Sequence, residues 1–180
     1  MKCLQAIASY LYLYIMNISL YLINYLQSRV DAGARVIELY IADSIKKKAI
    51  EIIIKDDAAK SEEQKDGSEA YLGLTQLSEK LKASIKHLYH RKNTTVHLEW
   101  TMYKDSSYSL DDFHSLIGLL ALNSPKTRLI FSYISKKGEY VFDSQKVLAE
   151  FSPEELLQKE ILIYMNELLE EHLNDVRDSL

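Results

Sequence analysis

A single cysteine, Cys3, is all the thiol chemistry in this 180-residue chain. One thiol closes no disulfide within the chain and builds no thiolate metal cage, which fits a reducing cytoplasm better than a secreted context. Positive charge is not in excess either. With 22 Lys and Arg against 26 Asp and Glu, the net charge of −4 leaves no electrostatic footprint for nucleic acid. A GxSxG elbow, a Walker A loop and an HExxH helix are all missing, so three common catalytic designs have no motif to rest on. What is present, 47% hydrophobic and 27% charged residues, lies in the ordinary globular range and suffices for one well-filled core with an added segment.

From Cys3 to Ser28 there is no formal charge, and a run of that length can span a bilayer. Gln5, Ser9, Asn17, Ser19, Asn24 and Gln27 dilute it, and Tyr10, Tyr12, Tyr14, Tyr21 and Tyr25 prefer interfaces to a hydrocarbon centre. The expectation is therefore a buried helix with an N-terminal extension that packs on the domain or on a second copy. A membrane anchor over residues 3–26 is the minority alternative. No cleaved signal is expected, because Lys2 is the only basic residue before the apolar run and no clear small-residue cleavage site follows.

Asp31, Ala32, Gly33 and Ala34 interrupt the helix, with Gly33 suited to the left-handed conformation that ends one. Ile37, Leu39 and Ile41 then alternate with Glu38 and Tyr40, the period of a half-buried strand. Lys46, Lys47 and Lys48 mark a turn. Ala49 to Lys55 is more continuously apolar, which places it inside the sheet, and it ends on Asp56 and Asp57. Residues 58–70 are polar and small, a loop. Leu74, Leu77, Leu81, Ile85 and Leu88 recur at helical spacing, so the pattern predicts one amphipathic helix from about Leu72 to Tyr89, its cations near the C-terminal end. On such a helix His87 and His90 would share a face, yet no carboxylate pattern accompanies them and a solvated face explains them as well.

Val96, Leu98, Trp100 and Met102 alternate with Thr95, His97, Glu99 and Thr101, a strand with one side buried. Ser109 is a candidate cap for a helix whose first turn holds Asp111 and Asp112 and whose apolar face is Phe113, Leu116, Ile117 and Leu120. Asp111, Asp112 and His114 read as capping and surface residues. Leu129, Phe131 and Tyr133, a Lys136–Gly138 turn, and Tyr140 and Phe142 predict a second hairpin. Ser152, Pro153 and Glu155 form a capping box with proline at the first helical position. The helix predicted after it runs to Val176 and carries two apolar stripes, Leu157, Ile161, Tyr164, Leu168 and Leu162, Met165, Leu169, Leu173, Val176. A face that wide covers the hairpin or meets a partner.

The order helix, small-residue turn, strand, strand ending in Asp-Asp, polar loop, helix and strand resembles the ATP-binding domain of the GHKL superfamily, the Bergerat fold shared by histidine kinases and gyrase. The stretch MNISLYLINYLQSRVDAGARVIELYI is similar to the opening of small stand-alone bacterial ATP-binding proteins of that superfamily, which begin near Met16. NTTVHLEW is similar to the family's G-T-T-V strand, and Ser109 through Phe142, with Val141, Phe142 and Asp143 at a strand end, to its C-terminal region. The resemblance implies an α/β (α+β) two-layer sandwich with a mixed sheet, a C-terminal hairpin and a long helix. It divides the chain into an apolar extension, residues 1–15, a GHKL-like domain, residues 16–104, and a helix-hairpin-helix region packed on it, residues 105–180.

Carried over position by position, the resemblance implies that Gln27 stands where the family has a catalytic glutamate and Ser28 where it has a magnesium-binding asparagine. A neutral amide is no general base near neutral pH, and a hydroxyl is a weaker magnesium ligand than an amide oxygen. Asp56 aligns with the aspartate that reads the adenine amino group, and Asp57 follows it. Ala58 and Lys60 replace the glycines that let backbone approach nucleotide, and Gly73 alone survives of the second glycine box, before a helix whose N-terminus can receive an anion. The segment between Asp57 and Gly73 is short for an ATP lid. The expectation is a degenerate, non-catalytic binding or regulatory module with no metal site and no cofactor, working through an unidentified protein partner or as a homodimer through its N- or C-terminal helix. The alternative is an ATP-binding protein or ATPase- or kinase-like enzyme that uses Asp56 for adenine and ATP with magnesium as cofactor.

Overall fold

Alternation in the central strands decides which side of the sheet is buried. A computed structural model of the protein describes residues 16–44, 49–58, 69–89, 96–103, 108–109 and 113–176. In β2 (Val36–Ser44) the residues Ile37, Leu39 and Ile41 are buried, and in β3 (Ala49–Asp56) the buried row is Ile50, Ile52, Ile54 and Asp56. Two further strands, β4 (Ser84–Tyr89) and β5 (Val96–Tyr103), pair with each other and join through β5 to β3, while β7 (Arg128–Ile134) and β8 (Glu139–Asp143) join through β7 to β2. The six-stranded order is β4-β5-β3-β2-β7-β8. All neighbours are antiparallel except β2 and β7, so the sheet is mixed. The continuously apolar β3 lies inside it, as its composition predicts. Register sets Val96, Leu98, Trp100 and Met102 across from Asp56, Ile54, Ile52 and Ile50, the buried row.

Helices cover that one face, giving a two-layer α+β sandwich. Leu22 and Leu26 of α1 (Ile18–Asp31), Leu74 and Leu77 of α2 (Glu69–Leu81), Ile117 and Ala121 of α3 (Phe113–Asn123) and Met165, Leu169 and Leu173 of the long C-terminal helix share one core with the strands. Phe113 meets Phe131 edge to face at 5.4 Å between ring centroids. A two-residue strand β1 (Met16–Asn17) pairs in parallel with β6 (Tyr108–Ser109), so Ser109 is a strand residue. Asp111, Asp112, His90 and residues 1–15 lie outside the described residues, and His114 is half-buried in α3. Among the described residues no helix is long and apolar enough to cross a membrane.

Besides Ser109, which is paired in β6 instead of capping α3, the sequence pattern and the structure part company at two places. The helix predicted over residues 72–89 stops at Leu81. Lys82 takes a positive φ of 52°, Ala83 N–H donates to Ser78 O (2.8 Å) and Lys82 N–H to Glu79 O (3.2 Å), the reciprocal closure of a Schellman cap. Residues 84–89 then pair with 96–101 as β4, so His87 is a strand residue. Apolar positions 85 and 88 are three apart, which suits a helix and puts them on opposite faces of a strand, so ladder pairing with β5 overrides the local spacing. The second departure is at the C-terminus. The Ser152–Glu155 capping box forms, with Ser152 N–H donating to Glu155 (2.7 Å) and Glu155 N–H to Ser152 Oγ (3.3 Å), but it opens only a 3-10 turn, Glu155–Leu157. Gln158 is extended, and the long helix, α5, starts afresh as Lys159–Val176 after a short α4 (Ser144–Leu148).

Two braces hold the C-terminal elements. Arg128 at the start of β7 donates through Nη2 (2.7 Å) and Nε (3.2 Å) to Asp143 at the end of β8, and the Asp143 carboxylate also accepts from Gln145 N–H to cap α4. At the other end of the hairpin, Tyr140 stacks on His172 of α5 with centroids 5.0 Å apart, and Ser135 Oγ donates to the Val176 carbonyl. Burial under α5, with a smaller effect of Tyr164, pushes the Tyr140 hydroxyl up to about 12.

The two Schellman ends give opposite expectations. Gly33 has φ 86° with nothing near the place a Cβ would take, so Gly33→Ala meets only backbone strain and lowers stability by about 1 kcal/mol in urea unfolding. Lys82→Gly, at the matching position of α2, raises it by a similar amount, about 1 kcal/mol or less. For the Arg128–Asp143 brace, the guanidinium holds the carboxyl below its ordinary value against partial burial, which works the other way. Its stabilisation is therefore complete above the unfolded carboxylate value, about 3.9, and disappears as pH falls through the lower folded value. Asp143→Asn flattens the pH dependence of unfolding in that acid window and leaves the dependence between about pH 6 and 8 unchanged.

Candidate functional site

Of the residues that the resemblance groups as a nucleotide site, Ser28, Asp56 and Asp57 lie at the junction of α1, the α1–β2 turn and the end of β3. Leu22, Tyr25, Leu26 and Arg29 fall at i, i+3, i+4 and i+7, so the helical period that buries the first three also carries the Arg29 side chain inward, where it is 7% exposed. Alternation does the same for Asp56, last in the buried row of β3 and 3% exposed. The two meet as a fork: Arg29 Nε donates to one Asp56 oxygen (3.0 Å) and Nη2 to the other (2.9 Å). Ala58 N–H adds a third donor to the Asp56 carboxylate at 3.0 Å.

Each other residue of the expected site is also occupied locally. Asp57 faces the opposite way and accepts from the backbone N–H groups of Arg35 (2.7 Å) and Val36 (2.9 Å), which clamps the start of β2 to the end of β3. Gln27 donates to Asp31 one turn on, 2.9 Å away, on the exposed side of α1. Ser28 Oγ donates back to the Tyr25 carbonyl at 2.7 Å. Gly73 sits in α2 against α1, where an added Cβ would lie 3.6 Å from the Tyr21 ring, an ordinary contact. The structure thus brings Ser28, Arg29, Asp56 and Asp57 to one corner, while Gln27 lies on the outer side of the same helix. Lys60 lies outside the described residues.

Arg29 is the member of this cluster that the motif comparison passed over. A signal for it existed: a cation on the apolar stripe of a helix demands a buried acceptor, and the only acidic pair at a nearby strand end is Asp56-Asp57.

A groove of about 450 Å³ lies on the other face of the sheet, which no helix covers among the described residues. Its walls include Tyr40, Ile53 and Ile130, with Glu38, Glu51 and Lys55 among them. Glu38 and Lys55 are register partners across β2 and β3. Among the described residues no three His, Cys, Asp or Glu side chains are grouped to hold a metal ion. The groove offers an apolar floor and mixed charge, with Ser132 on its β7 side.

No family model matches the sequence, and no curated protein matches it. Among solved structures, the N-terminal domain of a DNA repair protein superposes with a TM-score of 0.45 at 10% identity, over 71% of this chain and 52% of that one. The chain spans about half the length of that domain, and a likeness at this level carries no functional argument.

The Arg29–Asp56 pair is open to a direct energetic test. Arg29→Met leaves a buried carboxylate without its counter-ion and costs about 3–5 kcal/mol of stability, whereas the double variant Arg29→Met with Asp56→Leu recovers most of that loss. Urea denaturation of the single and double variants gives the coupling; losses that add independently would rule the buried pair out.

Proposed function

We propose that the chain is a non-catalytic binding module with a GHKL-like scaffold, acting through contact with a protein partner, in which the protein's own arginine occupies the aspartate that would read adenine. The observation that carries this reading is the saturation of Asp56. A carboxylate that accepts two charge-assisted bonds from a guanidinium and one from a backbone amide, at 3% exposure, has little left for a ligand's amino group. Displacing Arg29 from it would strand a second buried charge, a cost of several kcal/mol that a nucleotide would have to supply from its own contacts.

The neighbouring positions support the same reading. Gln27 is a neutral amide engaged with Asp31, and Ser28 spends its hydroxyl hydrogen on the helix backbone. General-base activation of water and magnesium-assisted phosphoryl transfer both need groups that these side chains do not supply. The single cysteine supports a reducing compartment, and a cytoplasmic location belongs to the proposal.

Isothermal titration with ATP and magnesium tests it. The expected result is no saturable heat up to about 1 mM nucleotide, the limit at which binding is worth roughly 4 kcal/mol. Saturable binding in the micromolar range that disappears on Asp56→Ala would overturn the proposal in favour of an adenine-reading site.

A further inference from the structure

The outer face of α5 is acidic and apolar at once. Met165, Leu169 and Leu173 are the residues that α5 buries against α3 and the hairpin, so the core takes up mainly one of the two stripes of its sequence, with Ile161 of the other packed at its edge. The other, Ile161, Tyr164 and Leu168, follows a three-and-four spacing along the helix, with Tyr164 40% exposed and the other two half-buried. Leu157, 88% exposed, stands just before it, and Phe151 broadens it through an edge-to-face contact with Tyr164 at 5.6 Å. Of the seven large apolar side chains exposed among the described residues, three (Leu157, Ile163 and Tyr164) belong to this element or its lead-in turn.

Charge distinguishes the possible occupants. Glu160 and Glu167 are exposed one position before Ile161 and Leu168, along one border of the stripe, and Glu171 follows at its end. Between Glu150 and Val176 eight carboxylates stand against one lysine, although the whole chain carries only −4. Three-and-four spacing is the seam that accepts a second helix, and the residues bordering such a seam select the partner by charge. A second copy of α5 would set one row of glutamates against another, and an anionic lipid surface would be repelled in the same way.

We propose that this face docks one amphipathic helix of a partner protein, with apolar residues at alternating three- and four-residue spacing and lysine or arginine along its border. The proposal rests on the reading of the chain as a protein-binding module and names the chemistry of its partner. Burial of Tyr164 and Leu168 supplies the apolar contact, and the glutamate border supplies orientation and selectivity more than affinity.

The probe is a fluorescein-labelled peptide of about 21 residues, three heptads with leucine in the seam and lysine elsewhere, titrated against the full chain by anisotropy. A shuffled peptide of the same composition and a peptide with glutamate for lysine serve as comparisons. The lysine peptide is expected to bind saturably and to weaken about tenfold with Tyr164→Ser and Leu168→Ser together, a change confined to exposed or half-buried positions whose folding circular dichroism checks. Reversal of Glu160, Glu167 and Glu171 to lysine is expected to switch preference to the glutamate peptide. Equal binding of the shuffled peptide, or a preference that survives the charge reversal, would overturn the docking surface. Nucleotide titration reads a different corner of the molecule: ATP binding would overturn the non-catalytic reading and leave peptide selectivity untouched, and loss of selectivity with no ATP binding would do the reverse.

Discussion

The fork between Arg29 and Asp56 ties the helical layer to the sheet at the place where the chain turns from one to the other. Both side chains are brought inward by periodicities that elsewhere bury leucine and isoleucine, so each charge is tolerable only because the other is there. The surrounding bonds depend on the same placement. Asp56 also receives Ala58 N–H, Asp57 holds the amides of Arg35 and Val36, and the Schellman closure through Gly33 and Ala34 returns to the carbonyls of Val30 and Arg29. The turn between α1 and β2 and the end of β3 therefore form one hydrogen-bonded unit. Such a unit is no proof of high stability, because a well-packed apolar replacement often does as well. It does specify which residue of β3 lies across from which turn of α1.

That specification explains why Asp-Ala-Gly-Ala and Asp-Asp read as a motif although no ligand is needed to account for them. Gly33 supplies a left-handed residue, the alanines on either side fit a tight and partly buried turn, and the two aspartates divide their work by strand alternation. Asp56 points to the helices and meets a cation. Asp57 points the other way and meets backbone donors.

Much of the architecture is legible in the alternation of β2 and β7, where one face is buried, and in the more continuous apolar run of β3, which places it inside the sheet. Gly33 and the Ser152–Glu155 box are equally legible, because each is a local device whose chemistry is carried by the residues that name it. What fails to show is what depends on distant partners. Lys82 takes a left-handed conformation without the glycine that would have announced it, and the segment after it becomes a strand because β5 offers a ladder. Gln158 breaks the C-terminal helix although nothing in its local chemistry forbids continuation. Arg29 shows only as a cation on an apolar stripe, and its partner is 27 residues away. In the candidate site the acidic members are visible as a run, whereas the fact that decides their role, the guanidinium already bound to one of them, is tertiary.

The division between the two faces of the sheet then follows from composition rather than from any single motif. The covered face holds the buried rows of β2, β3 and β7, and the other mixes Tyr40, Ile53 and Ile130 with Glu38, Glu51 and Lys55. Glu38 and Lys55 stand in register there, so opposite charges neighbour each other on that face. The outer side of α5 lacks this balance. Its carboxylates have almost no cations among them, and they stand beside Leu157 and Tyr164, which are exposed, whereas Tyr40, Ile53 and Ile130 of the sheet groove are half-buried. A surface that is both apolar and of one sign is poorly matched to water and to its own copy. A ligand of opposite sign with an apolar stripe of its own would match that surface, and this complementarity is the ground on which the proposed docking of a basic amphipathic helix rests.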